Sequence, residues 1–574
     1  MNKITFCPQC IIPYLKKDTS CSNCGAKTIE VIDEIRPVFE PEIVLVSKID
    51  DNFALKVGKN IKFGWKINVY YYFEGGIKLK GPTEKHIVSF KEDAIQKFVQ
   101  SIKKFSDFEP DLLAIPAIKR TIELNEEYID TKSNKSKEYS KSVMKLHRGR
   151  LPVVSFSGGK DSTVVSDLVI KALKNSTDEN GLKYNLMHIF GNTTLEFPYT
   201  YSYINEYKKT IPDLPMRKTL VNKEFFDMCT QLGPPSRVMR WCCTVFKTSP
   251  INSLINQFLK DNKQYPNGIV TFYGIRKSES ARRAKYNVDK DMAKTDDETI
   301  PFFRDNDVYS KDKSPKIAQQ LVVSPIFDWS NIDIWLYIFR NNLIFNKAYY
   351  FGFNRVGCWC CPSNSNWSFF LNRIVNHELG EKWRKFLYKF AENMNKSDLD
   401  DYVDSGKWKS RSGGIGVSNK QIFISDHICG DDKYSKTYKL TKPACLNIFE
   451  FFKPFGKIKV IQNNKKTEGV IYDKKDTALM MIEFELGSDS VKITCITPSN
   501  YKLQVQRNEA QLRKYQACVD CGACPSICPF NAISVVGGIY KIDENKCVCC
   551  QQCVHHFDKG CLVSKVLSTK EVNE

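Results

Sequence analysis

The segment Val153-Val154-Ser155-Phe156-Ser157-Gly158-Gly159-Lys160-Asp161-Ser162-Thr163 joins an apolar run to two glycines, a lysine and several hydroxyls. Its spacing predicts a strand, a tight loop and then the helix TVVSDLVIKALK. Glycines there let backbone amides approach a phosphate, and the helix N-terminus adds positive potential. Ser155, Ser157, Gly158, Gly159, Lys160, Asp161, Ser162 and Thr163 form the phosphate-binding set. Lys160 supplies a point charge, Ser157 and Ser162 supply hydroxyls, and Asp161 either holds Mg²⁺ or orients the loop. The pattern is not GxxxxGK[ST]. Twenty-two cysteines carry the rest of the chemistry. Cys7-x₂-Cys10 and Cys21-x₂-Cys24, ten residues apart, have a compact zinc-ribbon spacing: four thiolates can surround one Zn²⁺ tetrahedrally. The ion either holds together a segment too small for a core or builds a nucleic-acid finger; the first reading is preferred.

Near the C-terminus, Cys518-x₂-Cys521-x₂-Cys524-x₃-Cys528-Pro529 resembles the bacterial ferredoxin run. Cys547, Cys550, Cys553 and Cys561 follow, with Cys549 extra. In two-cluster ferredoxins the fourth cysteine ligates the other cluster. The resemblance therefore assigns Cys518, Cys521, Cys524 and Cys561 to one [4Fe–4S] cluster and Cys528, Cys547, Cys550 and Cys553 to a second. A structural zinc module and redox-silent clusters are the alternatives.

Between these ends lie Phe190-Gly191-Asn192-Thr193-Thr194-Leu195-Glu196-Phe197-Pro198, Arg240-Trp241-Cys242-Cys243, Gly274-Ile275-Arg276-Lys277-Ser278-Glu279-Ser280-Ala281-Arg282-Arg283, Ser324-Pro325-Ile326-Phe327-Asp328-Trp329 and Gly357-Cys358-Trp359-Cys360-Cys361-Pro362. In this order they resemble the adenylylsulfate/phosphoadenylylsulfate (PAPS) reductase family over about residues 150–375. That family includes reductases and the sulfurtransferase subunit of DNA phosphorothioation. The SGGKDS loop itself resembles that of the ATP pyrophosphatases, which cleave ATP between its α- and β-phosphates. The resemblance implies a parallel-sheet nucleotide domain with Glu196, Arg276, Arg282 and Arg283 joining the loop. Lys160, Asp161 and Arg276 are its candidate catalytic residues. Guanidinium groups suit phosphate or sulfate oxygens; a solvated basic helix start is the plainer reading of these arginines. The family also implies a central [4Fe–4S] cluster on Cys242, Cys243, Cys358 and Cys361. Zinc is the alternative there, and Cys360 is an alternative to Cys361. Two departures stand out. The C-terminal ECG-like nucleophile motif of the reductases is missing, and neither Cys429 nor Cys445 matches it. The phosphate loop, degenerate in many of those reductases, is whole. Both tilt the reading towards ATP-consuming sulfur transfer.

The elements that must position these residues follow from pattern. The chain has 574 residues, is 42% hydrophobic and 26% charged, and carries a formal charge of +20. That excludes a wholly disordered, collagen-like or membrane-spanning chain. No run of 18 apolar residues and no apolar secretory core are found, so the expected location is cytoplasmic, with no membrane partner. The basic excess suits anionic partners, although Lys-rich composition alone explains it equally well. Short apolar runs alternating with helical segments predict a multidomain α/β protein. The expected organisation is a zinc ribbon at 1–30, a β-rich then helical region at 31–148 (the segment 38–90 being β-rich) and the nucleotide domain at 149–375. A helical and loop extension at 376–440, a small α+β module at 441–510 and a two-cluster ferredoxin module at 511–574 complete it. Expected cofactors are [4Fe–4S] clusters, Zn²⁺, and ATP with Mg²⁺ or adenylylsulfate/PAPS. Expected partners are an adenine nucleotide, a nucleic-acid acceptor, and proteins donating electrons and sulfur. The leading function is sulfur transfer through an adenylated acceptor. The alternatives are release of sulfite from adenylylsulfate or PAPS, and a nucleic-acid-binding redox sensor.

Overall fold

The computed structural model describes residues 4–567 apart from 16–18, 32–34, 59, 89, 175, 178–183, 280–301, 305–319, 415–416, 418–424, 428–432, 465, 497–499 and 558–559. It divides into two compact units. The first comprises Met1–Thr219, Asn262–Lys311 and Gln319–Phe386; the second comprises Leu220–Asp261, Asp312–Ala318 and Leu387–Glu574.

The first unit is built on a six-stranded sheet in the order Met216–Lys218, Met187–Phe190, Leu151–Phe156, Ile269–Phe272, Gln320–Val323, Phe302–Arg304. All neighbours are parallel except the last pair. The inner strands are buried on both faces, which is why they read as continuous apolar runs rather than alternating ones. Successive strands leave Leu151–Phe156 in opposite directions, Met187–Phe190 on one side and Ile269–Phe272 on the other. The phosphate loop thus begins at a switch point of the sheet, where open α/β folds bind ligands. Helices Pro116–Leu146, Lys160–Leu173 and Asn331–Arg340 pack against one another beside it.

Ahead of this sheet, Ile4–Cys7, Ile12–Tyr14 and Ile29–Val31 form a three-stranded ribbon. Ile35–Phe39, Phe63–Ile67, Tyr70–Phe73 and Ile77–Lys80 form a four-stranded antiparallel sheet in chain order. One correction falls here. Within the segment 38–90 that reads as β-rich, Glu40–Ile49 and Asp51–Val57 are helices. Pro41 opens the first, with Glu40 and Glu42 in its first turn. The Asp50 carboxylate caps the second by accepting from the Asn52 and Phe53 amides at 3.0 and 3.2 Å. Those start signals outweigh the β-branched run between them.

The second unit holds a six-stranded antiparallel sheet in the order Ser425–His427, Ser435–Lys439, Ser490–Cys495, Ala478–Glu485, Lys466–Tyr472, Lys457–Asn463. Its core runs without a break into the cysteine-rich end of the chain: Ile448, Phe452, Met480, Ile482, Leu512, Tyr515 and Tyr540 share one cluster. Phe451 stacks on Tyr540 with centroids 4.3 Å apart. Helix Tyr501–Ala517 crosses the boundary drawn at 510/511. Residues 220–261, read within the 149–375 segment, also fall in this unit. The cause is visible in the packing: beyond the edge strand Met216–Lys218 the chain leaves the parallel sheet, and helix Ser249–Asp261 packs on Ala523–Ile527. Among the described residues no helix is long and apolar enough to cross a membrane.

Candidate functional site

Every motif expected to meet a nucleotide in the first unit follows the carboxyl end of a parallel strand. The loop after Leu151–Phe156 requires its first glycine. Gly158 has φ +73°, and a Cβ there would lie 2.8 Å from Thr200 Cγ2. The Ser157 amide donates to Ser162 Oγ at 3.2 Å, and Ser162 Oγ donates to the Gly159 carbonyl at 2.8 Å, so both serines are spent on closing the turn. Lys160 is only 3% exposed. Its Nζ donates to Asp161 Oδ2 at 3.1 Å and to the Asn354 carbonyl at 3.5 Å.

Asp161 lies between two cations, with Arg276 Nε donating to its Oδ1 at 2.6 Å. Burial alone would raise this carboxyl, but Lys160 and Arg276 outweigh it and hold it well below the ordinary carboxylate range. Arg276 is 2% exposed, donates from Nη1 to Ser278 Oγ at 3.0 Å, and its amide donates to Glu279 Oε2 at 3.2 Å. The GIRKSE turn comes this close because Gly274 lacks a side chain: a Cβ there would stand 2.9 Å from the Asp161 carbonyl carbon. Arg282 and Arg283 lie outside the described residues, as does Cys429. Ser155 sits in the strand itself, opposite Ile189.

The third strand-end loop brings the Glu196 turn to the first cysteine of the CxxC segment. Glu196 and Cys358 form an isolated antiparallel bridge, and the Trp359 amide donates to the Leu195 carbonyl at 2.9 Å. Thr193 Oγ1 donates to Glu196 Oε1 at 2.9 Å and lies 3.5 Å from Cys358 Sγ. Cys360 is buried while Cys358 and Cys361 are partly exposed. Cys242 and Cys243, on Trp241–Cys243, belong to the second unit. The two halves of the sequence's central cysteine set therefore lie in different units.

Sequence reasoning missed the residues that hold the loop from behind. Tyr349 OH accepts from the Lys160 amide at 3.0 Å although it lies 189 residues away. Burial, with Asp161 nearby, pushes its phenol well up, so it stays neutral. Asn346 donates to the Gly158 carbonyl at 3.3 Å and to Thr200 Oγ1 at 3.0 Å. Neither belongs to a motif; an Asn and a run of aromatics carry no local signal of this role.

At the N-terminus, the thiols of Cys7, Cys10, Cys21 and Cys24 all lie within 4.8 Å of one another. Cys7 and Cys24 Sγ are 3.7 Å apart. Four sulfurs about one tetrahedral ion with bonds of roughly 2.3 Å stand about 3.8 Å apart, so the set fits a metal. Burial pushes Cys7 up to about 12. Cys21 is lowered to about 6 because hydrogen bonds from Tyr14 and nearby amides overcome its burial. Glu92, His377 and Glu381 also converge, but the Arg373 guanidinium already pairs with both carboxylates, at 3.3 and 2.7 Å.

In the second unit the cysteine-rich end shows two neighbourhoods. Burial raises Cys521 well above its ordinary value, and the nearby Cys524, Cys561 and Cys518 raise it further. Cys553 is pushed up to about 12 by burial and by Cys524, Cys528 and Cys547. A small open pocket is lined by Cys528, Cys547, Cys550 and Cys553 among others. Cys521 and Cys553, which burial makes costly to ionise, suit a metal centre that stabilises thiolates. Lys223 anchors the loop between Cys518 and Cys521 by pairing with Asp520 at 3.0 Å. Helix Leu562–Leu567, just beyond Cys561, packs on Trp241–Cys243.

A parallel α/β sheet with a glycine loop and a Lys–Asp–Arg cluster at its switch point has the architecture of the phosphate-loop fold class. Residues 151–364 match the phosphoadenosine phosphosulfate reductase domain family. An uncharacterized protein of Methanocaldococcus jannaschii is 27% identical over 341 residues, 58% of this chain and 62% of that protein. The chain thus spans less than two thirds of that relative's length. An adenosine 5'-phosphosulfate reductase of Oceanobacillus iheyensis is 24% identical over 213 residues, 37% of this chain and 71% of that enzyme. A sulfate adenylyltransferase subunit 2 of a Methylobacterium species is 27% identical over 200 residues, 35% of this chain and 58% of that protein. The named relatives are enzymes whose names place them in sulfur-nucleotide chemistry.

Proposed function

We propose that the chain is a cytoplasmic iron–sulfur enzyme of sulfur metabolism that uses ATP to adenylate an acceptor and then transfers sulfur to it. The observation carrying this reading is the unbroken phosphate loop, closed on itself and backed by Lys160, Asp161 and Arg276 at the switch point. The loop amides and Lys160 bind the β- and γ-phosphates of ATP–Mg²⁺. Asp161 aims Lys160 and Arg276. An acceptor oxygen attacks the α-phosphate and pyrophosphate leaves; Lys160 and Arg276 stabilise the charge that develops on it. A hydrosulfide or persulfide sulfur then displaces AMP from the acceptor carbon, and a persulfide donor needs two electrons to split its S–S bond. Clusters on Cys518, Cys521, Cys524, Cys561 and on Cys528, Cys547, Cys550, Cys553 would supply electrons one at a time. The contact of Leu562–Leu567 with Trp241–Cys243 supports delivery towards the Cys242–Cys243 pair. The basic charge of +20 suits a nucleic-acid acceptor.

A second reading, reduction of adenylylsulfate or PAPS to sulfite, is favoured by the family match at 151–364 and by the reductase relative. Anaerobic protein with reduced clusters, given adenylylsulfate or PAPS without ATP, separates the two. The sulfurtransferase reading expects no sulfite. Sulfite over many turnovers, abolished in a Cys358→Ser variant, would replace it with the reductase.

For the ribbon we read zinc, because four thiolates at this separation select a tetrahedral soft-ligand site. One zinc per chain should be released when Cys21 is replaced by serine, measured by elemental analysis of the purified protein against the native chain. Full zinc retention in that variant would remove Cys21 from the site.

A further inference from the structure

A buried lysine stands among the two cysteine neighbourhoods of the second unit. Lys514, on helix Tyr501–Ala517, is 1% exposed. Its Nζ donates to the Cys553 carbonyl at 2.7 Å and lies 6.0 Å from the centre of the Tyr540 ring. Among the described residues no carboxylate pairs with it. An ammonium taken out of water is costly unless an opposite charge faces it. Cys518 caps the same helix one turn beyond Lys514, and Leu562–Leu567, which follows Cys561, packs on that helix. Cys518 and Cys561 belong to one proposed cluster set and Cys553 to the other.

We propose that the Lys514 ammonium is the shared counter-charge of two [4Fe–4S] clusters and holds their reduction potentials up. The inference rests on the reading that these two cysteine sets bind clusters. A cluster taking up one electron, with no proton, gains one negative charge. A fixed cation nearby in a low-dielectric surrounding favours that reduced form, so its removal makes reduction harder. Arginine at this position keeps the charge; methionine keeps the volume and loses it. Glutamine loses the charge but keeps a donor for the Cys553 carbonyl.

The test is a dithionite titration of the full anaerobic chain, followed by electron paramagnetic resonance, on native protein and on Lys514→Met, Lys514→Gln and Lys514→Arg. Iron and acid-labile sulfide are counted in each. Native protein should carry eight iron atoms in these two sites, four for each [4Fe–4S] cluster. Both midpoint potentials should shift negative in the methionine and glutamine variants, and the arginine variant should stay near the native values. Glutamine guards against loss of folding in the methionine variant, since it retains the hydrogen bond. Full iron with unshifted potentials in either neutral variant would overturn the role of Lys514. Native chain lacking iron and sulfide at these cysteines would instead overturn the cluster reading, and the inference with it.

Discussion

Arg276→Met should lower kcat/KM for pyrophosphate release from ATP by roughly 10²–10³, the usual cost of removing one preorganised donor from a developing charge. The reason lies in the geometry. Arg276 Nε and Lys160 Nζ grip opposite oxygens of Asp161, at 2.6 and 3.1 Å. Losing the guanidinium removes one of the two cations on Asp161 and leaves Lys160 as its remaining partner in the trio. Asp161→Asn should then act mainly through position: it leaves both cations but releases their aim. The pH profile carries an independent signature. The Asp161 carboxyl is depressed in the fold, so its ion pairs contribute above the unfolded value of about 3.9 and fade only as pH falls through the lower folded value. Between about pH 5 and 9 the native rate should show no break owed to Asp161. A break there that vanishes in Asp161→Asn would contradict this account of the trio.

Glu42→Ala should destabilise the first unit by about 3–5 kcal/mol, the cost of leaving one member of a buried ion pair alone. Arg36 reaches Glu42 with both guanidinium nitrogens, at 2.6 and 2.5 Å. Tyr71 donates to the same carboxylate at 2.9 Å, and Lys66 donates to the Tyr71 hydroxyl at 3.1 Å. Arg36 is 7% and Glu42 0% exposed, so water cannot replace the lost partner. Gly352 presses a further limit on the site, since a Cβ there would meet the Glu42 carboxyl carbon at 2.6 Å. The paired change Arg36→Met with Glu42→Leu should recover most of the loss, because it removes both charges together. Denaturant unfolding of the single and double variants measures this. A Glu42→Ala chain as stable as the native one would show that the network is solvated after all.

The legibility of this molecule divides by sequence range. Inner strands such as Leu151–Phe156 and Ile269–Phe272 are short apolar runs followed by glycine turns, and both the elements and their loops could be read directly. The Cys7–Cys24 set was legible because its spacing alone brings four sulfurs together. Tyr349 and Asn346 were not, because their partners lie 189 and 188 residues away and their types are ordinary in a core. The helices at Glu40–Val57 were hidden by a β-branched run whose capping residues carried the decisive signal. Lys514 carries no local signal, and only burial beside the cysteines distinguishes it. The assignment of 220–261 to the second unit had no signature within that segment, because its partners, Arg411 and helix Ala523–Ile527 among them, lie far along the chain.

The central claim is that the phosphate loop serves ATP. Calorimetric titration of the anaerobic protein with the non-cleavable analogue α,β-methylene-ATP and Mg²⁺, and separately with adenylylsulfate, tests it most directly. The account predicts that the ATP analogue binds at least about tenfold tighter, a difference of about 1.4 kcal/mol, and that Lys160→Ala abolishes the preference. Tighter binding of adenylylsulfate, with no competition from the ATP analogue, would contradict it and give the site to a sulfonucleotide.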